Sequence, residues 1–226
     1  MTTSTSSNNS AHSSNNAHHW PRLTLAAVLT VALLGFAAIY QATMGLNVVS
    51  TEDGRRLDVE REPRDMPFAA VHRAPPTTLA AMLRADRRVT VVAFIYTSCN
   101  SVCTVLGSEF QQMQQIIRQR NLQDKVRLLS ISFDARDTAE RLASYAERQH
   151  ADPAIWKLVG IDSEPQRKAV LQTFGIVVLP APLGEFVHNA AFHLVDSDGR
   201  LAKIDDFDMP SQALADAVDM FEAHRK

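Results

Sequence analysis

Cysteine is scarce in this 226-residue chain: there are two, Cys99 and Cys103, four positions apart in "YTSCNSVCT". A disulfide-stapled mini-protein needs more bridges than one pair can form, so stability must come from apolar burial, and both thiols are left for chemistry. Net charge is scarce as well, -2 at pH 7. That excludes the broad basic field of a nucleic-acid or polyanion binder. Hydrophobic residues make up 46% and charged residues 21% of the chain, a globular balance with material for one core.

The start of the chain lacks first apolar residues and then charge. Residues 1–19, "MTTSTSSNNSAHSSNNAHH", hold almost nothing apolar. They cannot offset the entropy of ordering and are expected to be a disordered tail. From Leu23 to Val49 no charged residue occurs. About 20 helical residues, at roughly 1.5 Å each, cross a ~30 Å hydrocarbon core, so a transmembrane anchor is expected over residues 20–46. A cleavable signal peptide would have an apolar stretch of about 7–15 residues and a small-residue cleavage site; this run is longer and has no clear A-x-A. Arg22 precedes the span, whereas the first charges beyond it, Glu52 and Asp53, are acidic. The positive-inside bias therefore puts the tail in the cytoplasm and the rest outside, which in a bacterium means an inner-membrane protein facing the periplasm. Residues 47–74, charged with short apolar pulses, read as a stalk and edge segment, and residues 75–226 as the folded domain.

Strand and helix patterns alternate through that domain. "RVTVVAFIY" (88–96) is a β-branched apolar run suited to a strand buried on both faces. Leu106, Phe110, Met113 and Ile117 then form one helical stripe, with Met113 as core. "VRLLSISFD" (126–134) is the next buried strand, followed by a helix with an Asp137/Thr138 cap. "WKLVGID" is a third strand, followed by a helix that starts at Ser163 and stops at Gly175. "AAFHLVDSDGRLAKIDDF" reads as a hairpin turning at Asp198-Gly199, and "SQALADAVDMFEAHR" as a closing helix. "DSDG" lacks the later glutamate of a calcium loop and is a turn. The order describes an α/β fold, a thioredoxin-like sandwich with a mixed central sheet.

The cysteines fall where the first buried strand hands over to its helix. Ligands sit at such C-terminal strand ends in open α/β sheets, and a helix N-terminus favours thiolate over thiol. If the turn is helical, positions i and i+4 put both sulfurs on one face. Two thiolates suit Cu(I), zinc or an iron cluster, but zinc and clusters normally want four protein ligands and no further cysteine exists; copper suits a smaller set, with imidazole as the common partner. Beyond the tail the histidines are His72, His150, His188, His193 and His224. His188 lies in "LPAPLGEFVHNAAFHL", a Pro/Gly-bearing loop ahead of a strand that can approach the first strand's end. His193, five residues on and within the strand, is expected on the opposite face. His150, His193 and His224 read as surface or packed residues, and the tail histidines as disordered rather than metal-binding.

Three stretches, "FIYTSCNSVCTVLGSEFQQMQ", "LLSISFDARDTAERLASYA" and "VHNAAFHLVDSDGRL", resemble the signature regions of the Sco/SenC family, thioredoxin-fold copper proteins held by one N-terminal helix. The similarity runs from about Val89 to Phe207. Carried over residue by residue, it implies a copper ion bound by Cys99, Cys103 and His188. It further implies assembly of the CuA centre of a respiratory cytochrome oxidase, with the CuA-bearing subunit as partner and another copper chaperone as donor. Thr104 stands where the family usually has proline, Val187 where it has aspartate, and the stretch before His188 is shorter, so hydrogen bonding around that ring is expected to differ.

The same residues allow a second reading. A membrane-anchored thiol:disulfide oxidoreductase would use Cys99 and Cys103 as a redox pair, one attacking a partner disulfide and the other resolving the mixed disulfide, with no need of His188. A structural disulfide across so short a loop would constrain the unfolded chain little. A peroxide-reducing thiol enzyme would want Thr-x-x-Cys, but Thr97 stands only two positions before Cys99. Asp134 and Asp137 read as a strand terminus and a helix cap, with a role beside the cysteines as the lesser alternative.

Overall fold

The computed structural model describes residues 20–43, 50–72, 76–99 and 102–225, apart from the side chains of 20–22, 51 and 102–104. The tail expected over residues 1–19 lies outside the described residues. The chain divides into two units, Met1–Gly54 and Arg55–Lys226. In the first, α1 (Trp20–Ala42) carries a stretch, Leu23–Ala42, of mean hydropathy 2.3 that is long and apolar enough to cross a membrane. Helix α2 (Thr51–Arg61), which lies in the second unit from Arg55 on, opens on a reciprocal cap: Ser50 Oγ accepts from the Asp53 N–H at 3.1 Å, and the Asp53 carboxylate accepts from the Ser50 N–H at 3.0 Å.

In the second unit, short β1 (Arg64–Asp65), β2 (Ala70–Val71) and β3 (Thr77–Thr78) lead into α3 (Leu79–Asp86), whose cap is Thr78. Then come β4 (Val89–Ile95), α4 (Val102–Gln119), β5 (Val126–Ser132), α5 (Ala139–Arg148), β6 (Trp156–Gly160) and α6 (Glu164–Phe174). The chain finishes with β7 (Val178–Pro180), a 3-10 turn, β8 (Phe186–His188), β9 (Phe192–Val195), β10 (Arg200–Asp205) and α7 (Pro210–Ala223). The main sheet has the order β1-β10-β9-β4-β5-β6, with β4, β5 and β6 parallel and β9, β10 and β1 antiparallel. This is the mixed sheet expected from strand-helix alternation followed by a hairpin.

Every residue of β4 and β5 is buried, which explains their unbroken apolar runs: both faces are covered. Alternation along β4 sends Val92 and Phe94 into one core layer and Val91 and Ala93 into the other. The second layer takes the helical stripe Leu106, Phe110, Met113 and Ile117, as its spacing predicts. The first layer reaches back to Val59, Met66, Ala69 and Val71, so packing begins well before residue 75. Val59 lies on α2, Met66 and Ala69 between β1 and β2, and Val71 in β2. Gly175 (φ +68°) ends α6 in the left-handed region, where its N–H and the next one return to the Gln172 and Leu171 carbonyls.

Candidate metal centre

The β4-α4 connection and the β5-α5 connection leave neighbouring parallel strands at the same sheet end, so they lie side by side. Cys99 sits in the first, 6% exposed, with its N–H on the Tyr96 carbonyl at 3.2 Å. Helix α4 starts at Val102, so Cys99 precedes the helix and the two cysteines do not share a helical turn. Cys103 is the second residue of α4; its side chain lies outside the described ones.

His188 closes β8, which is not a loop strand-end but one arm of a two-stranded hairpin, Val178 opposite His188 and Leu179 opposite Val187. Short strands escaped the sequence reading because prolines and a glycine interrupt them. Alternation turns Val187 outward, 62% exposed, and His188 inward onto Phe133, ring centroids 4.9 Å apart. Phe133 and Cys99 belong to one core layer, so the ring meets the layer that holds the thiol. Burial pushes the His188 pKa below its usual value, while the Asn189 carbonyl and Cys99 pull it partly back. His188 Nδ1 lies 2.9 Å from the Asn189 carbonyl oxygen. A carbonyl only accepts, so the neutral ring donates from Nδ1 and keeps its lone pair on Nε2. This backbone contact holds the ring where an aspartate at position 187 was missing from the sequence pattern.

His193 does not lie on the opposite face. It is fully buried between Phe94 and Phe174, ring centroids 5.8 and 5.3 Å away, in the layer that also holds Cys99 and Phe133. Alternation could not be counted from His188 to His193, because residues 189–191 break β8 from β9 and reset the phase. His72 pairs with Asp162 at 2.8 Å and His224 with Asp198 at 3.0 Å, both away from the cysteine loop in sequence and element.

Residues 134–137 brace both halves of the site, the role beside the cysteines that the sequence offered for Asp134 and Asp137 only as the lesser alternative. The helix cap is Thr138, whose Oγ accepts from the Arg141 N–H. Asp137 instead reaches back to the cysteine loop: its carboxylate accepts from the Thr97 N–H at 2.8 Å, from the Thr97 hydroxyl, and from Ser132 Oγ at 2.6 Å. Asp134 takes Arg136 through both oxygens; burial alone would raise its pKa, yet those bonds hold it below the usual carboxylate range. Arg136 in turn donates to the Gly184 carbonyl at 2.8 Å and covers the Phe186 ring at 5.3 Å, fastening the hairpin tip. At the hairpin base Asn189 accepts from the Val177 N–H and donates to the Gly175 carbonyl. The usable signal was positional: a carboxylate just past a parallel strand's end, next to the strand that bears the thiol, belongs to the ligand rim.

Among the described residues no group of three or more His, Cys, Asp or Glu side chains is arranged to hold a metal. The structure does bring together one thiol and one neutral imidazole, distant in sequence, at the carboxyl rim of the sheet. Fold and site define a thioredoxin-like α/β domain with a soft-donor pair at its mouth. The SCO1/SenC family model matches residues 67–222, and the chain belongs to that family.

An SCO1 homolog of Bacillus subtilis is 26% identical over 113 residues, 49% of this chain and 58% of that protein, so the match spans little more than half of the relative's length. BsSco, a member of the Sco family of cytochrome c oxidase assembly proteins, superposes with TM-score 0.60 at 18% identity, over 71% of this chain and 95% of that one. Bradyrhizobium japonicum ScoI, solved with copper bound, gives 0.52 at 23% identity, over 69% and 99%. These structural likenesses establish the shared fold.

Proposed function

We propose that the protein is a membrane-anchored copper carrier of the Sco/SenC type, with Cys99, Cys103 and His188 as the ligands. The observation that carries this reading is the meeting of the buried Cys99 with a neutral, Asn189-held His188. A thiolate and an imidazole are the donor types that copper selects, and two thiolates with one imidazole leave room for ligand exchange. Copper is cargo here. Each thiol releases its proton on loading, the imidazole binds without losing one, and acceptor groups displace the three donors in turn. The copper-bound ScoI neighbour and the oxidase-assembly role of BsSco support a CuA-bearing oxidase subunit as acceptor and another copper chaperone as donor. The arrangement would be a tail over residues 1–19, an inner-membrane anchor over 20–46, a linking segment over 47–74 and a periplasmic domain over 75–226.

The test is Cu(I) titration of the reduced full-length chain in detergent, comparing wild type with His188→Ala, Cys99→Ser and Cys103→Ser. One equivalent should bind, and each substitution should weaken it by more than the ~10–100-fold typical of groups that only support a ligand. Unchanged affinity in His188→Ala, with disulfide reductase activity that needs both cysteines, would replace the carrier by the oxidoreductase.

A further inference from the structure

The outward face of the β7-β8 hairpin is apolar. Leu179 and Val187, paired across it, and Val177 just before it are each more than half exposed, and Leu183 at the tip is wholly so. The inward residues Val178 and Phe186 pack on the first core layer, so the hairpin is already seated without the exposed four. Leu183 holds φ +62° and Gly184 φ +77°, both left-handed. Glycine takes that conformation freely, whereas a leucine is strained in it. The turn is fixed all the same: the Ala181 N–H donates to the Glu185 carbonyl at 2.8 Å, and Arg136 holds the Gly184 carbonyl. A strained leucine is thus kept in water where a glycine would suit the turn better. Beside the tip lies positive charge. Arg136 is the seam, since its own carbonyl accepts from Arg141 at 3.2 Å. From Arg141 a cleft of about 330 Å³ runs along α5, lined by Arg141, Ser144 and Arg148 at one-face spacing, by Glu140, and by Thr97 and Ser98 of the cysteine turn. Two arginines face one glutamate there, while Arg136 is offset by Asp134.

We propose that the outward hairpin face and this cleft form one docking surface for the protein that takes the metal from the chain, and that this partner brings apolar side chains to Leu179, Leu183 and Val187 and a carboxylate to Arg141 and Arg148. The partner's being a metal acceptor rests on the carrier reading above; the chemistry of the surface does not. The cysteine turn touches both parts: the Tyr96 hydroxyl donates to Glu185 of the hairpin at 2.6 Å, and Thr97 and Ser98 line the cleft. A partner that spans the two therefore covers the sheet end where Cys99 lies. The pairing of a projecting apolar tip with a positive recess selects the occupant. A bilayer is flat, so it meets the tip and cannot fill the recess beside it. A second copy would bring to the cleft a face with two arginines for one glutamate, like charge to like. A folded protein with carboxylates beside an apolar patch complements both parts.

The experiment measures binding of the purified soluble CuA-bearing domain of an oxidase subunit to the full-length chain in phosphatidylcholine nanodiscs, metal-free and with one equivalent of Cu(I), as wild type, Leu183→Gly and Arg148→Glu. Leu183→Gly relieves the turn and removes the projecting side chain, so the unfolding temperature should hold or rise while docking weakens about tenfold. A leucine with only a structural role does not give that split. Arg148→Glu should weaken docking about tenfold at low salt and abolish its further weakening as salt is raised, since screening acts on the attraction that the substitution removes. Cu(I) uptake without the partner should be the same in all three. No docking by wild type, or wild-type affinity in either variant, overturns the proposal. Two other occupants would overturn it as well: dimers of the chain that Leu183→Gly dissolves, or hydrogen exchange across residues 178–188 that nanodisc lipid already slows, relative to detergent, before any partner is added. A chain that docks but takes up no Cu(I) supports the surface and refutes the carrier reading, whereas one that takes up Cu(I) and does not dock refutes the surface alone.

Discussion

Replacing Asp137 with alanine should damage the site more than any other single change outside the ligands. Its carboxylate, 3% exposed, accepts three hydrogen bonds, two from Thr97 and one from Ser132. The Thr97 N–H and Ser132 Oγ share Oδ2, whereas the Thr97 hydroxyl uses Oδ1. Bonds to a charged acceptor are worth about 1.5–3 kcal/mol each, and a buried donor left without a partner costs ~1–3 kcal/mol. The two hydroxyls can rotate to other acceptors but the Thr97 N–H cannot, so alanine should cost ~3–5 kcal/mol. That is a large share of the ~5–15 kcal/mol that holds a domain together. Asparagine should cost only ~1–2 kcal/mol, since its oxygen can take the Oδ2 position while the Thr97 hydroxyl turns to accept from its amide. Urea unfolding of the full-length chain, followed by Trp156 fluorescence in a Trp20→Phe background, measures both. Trp156 is buried and donates to Ser130 Oγ at 3.0 Å, so its emission reports the core. With Cys103→Ser added, alkylation of Cys99 should also be faster in the alanine variant, because the turn that buries it is unpinned. A cost below ~1 kcal/mol for alanine, or alkylation at the wild-type rate, would refute the clamp.

Two further predictions concern buried charge. Asp205 is buried with one oxygen unpartnered, and desolvation raises its pKa to about 6, because Lys203 sits 2.7 Å from Asp216 but 3.7 Å from Asp205. A raised folded-state pKa means stability is lost as pH rises from about 3.8 to about 6 and stays lost above. Asp205→Asn should therefore stabilise by ~1–3 kcal/mol at pH 7.5 and by almost nothing at pH 4, and equal effects at both would rule this out. Arg127, fully buried, bonds Asp86 at 2.7 Å and Thr90 Oγ at 2.8 Å. Arg127→Ala should cost ~3–5 kcal/mol in thermal or urea unfolding, and Arg127→Met markedly less, because methionine fills the volume without a charge. Burial alone would raise the Asp86 pKa, yet its arginine partners bring it below the usual value, so their stabilisation is present above about pH 4 and lost below. The cost of either Arg127 change should shrink in acid.

Much of the architecture was legible because burial on two faces writes itself into composition. The unbroken runs of β4 and β5, the 3.6-residue stripe of α4 and the Asp198-Gly199 turn each needed only local periodicity or turn chemistry. The ligand set proposed above, Cys99, Cys103 and His188, came from the resemblance of three stretches to the Sco/SenC pattern. Residues 178–188 were not legible as a hairpin, since strands of three residues interrupted by proline leave no periodic signal. The layer of His193 was misjudged because alternation does not survive a break between strands.

By itself, the order of amino acids determined the apolar span, the strand-helix succession and the rarity of thiols, since these depend on neighbours along the chain. Only tertiary structure decided that Asp137 turns from its helix to the cysteine loop, that Arg136 fastens the hairpin, and that the Tyr96 hydroxyl reaches Glu185. Those contacts join parts of the chain far apart in sequence, and their bonds exist only after β4 and β5 pair and the hairpin folds over the end they share.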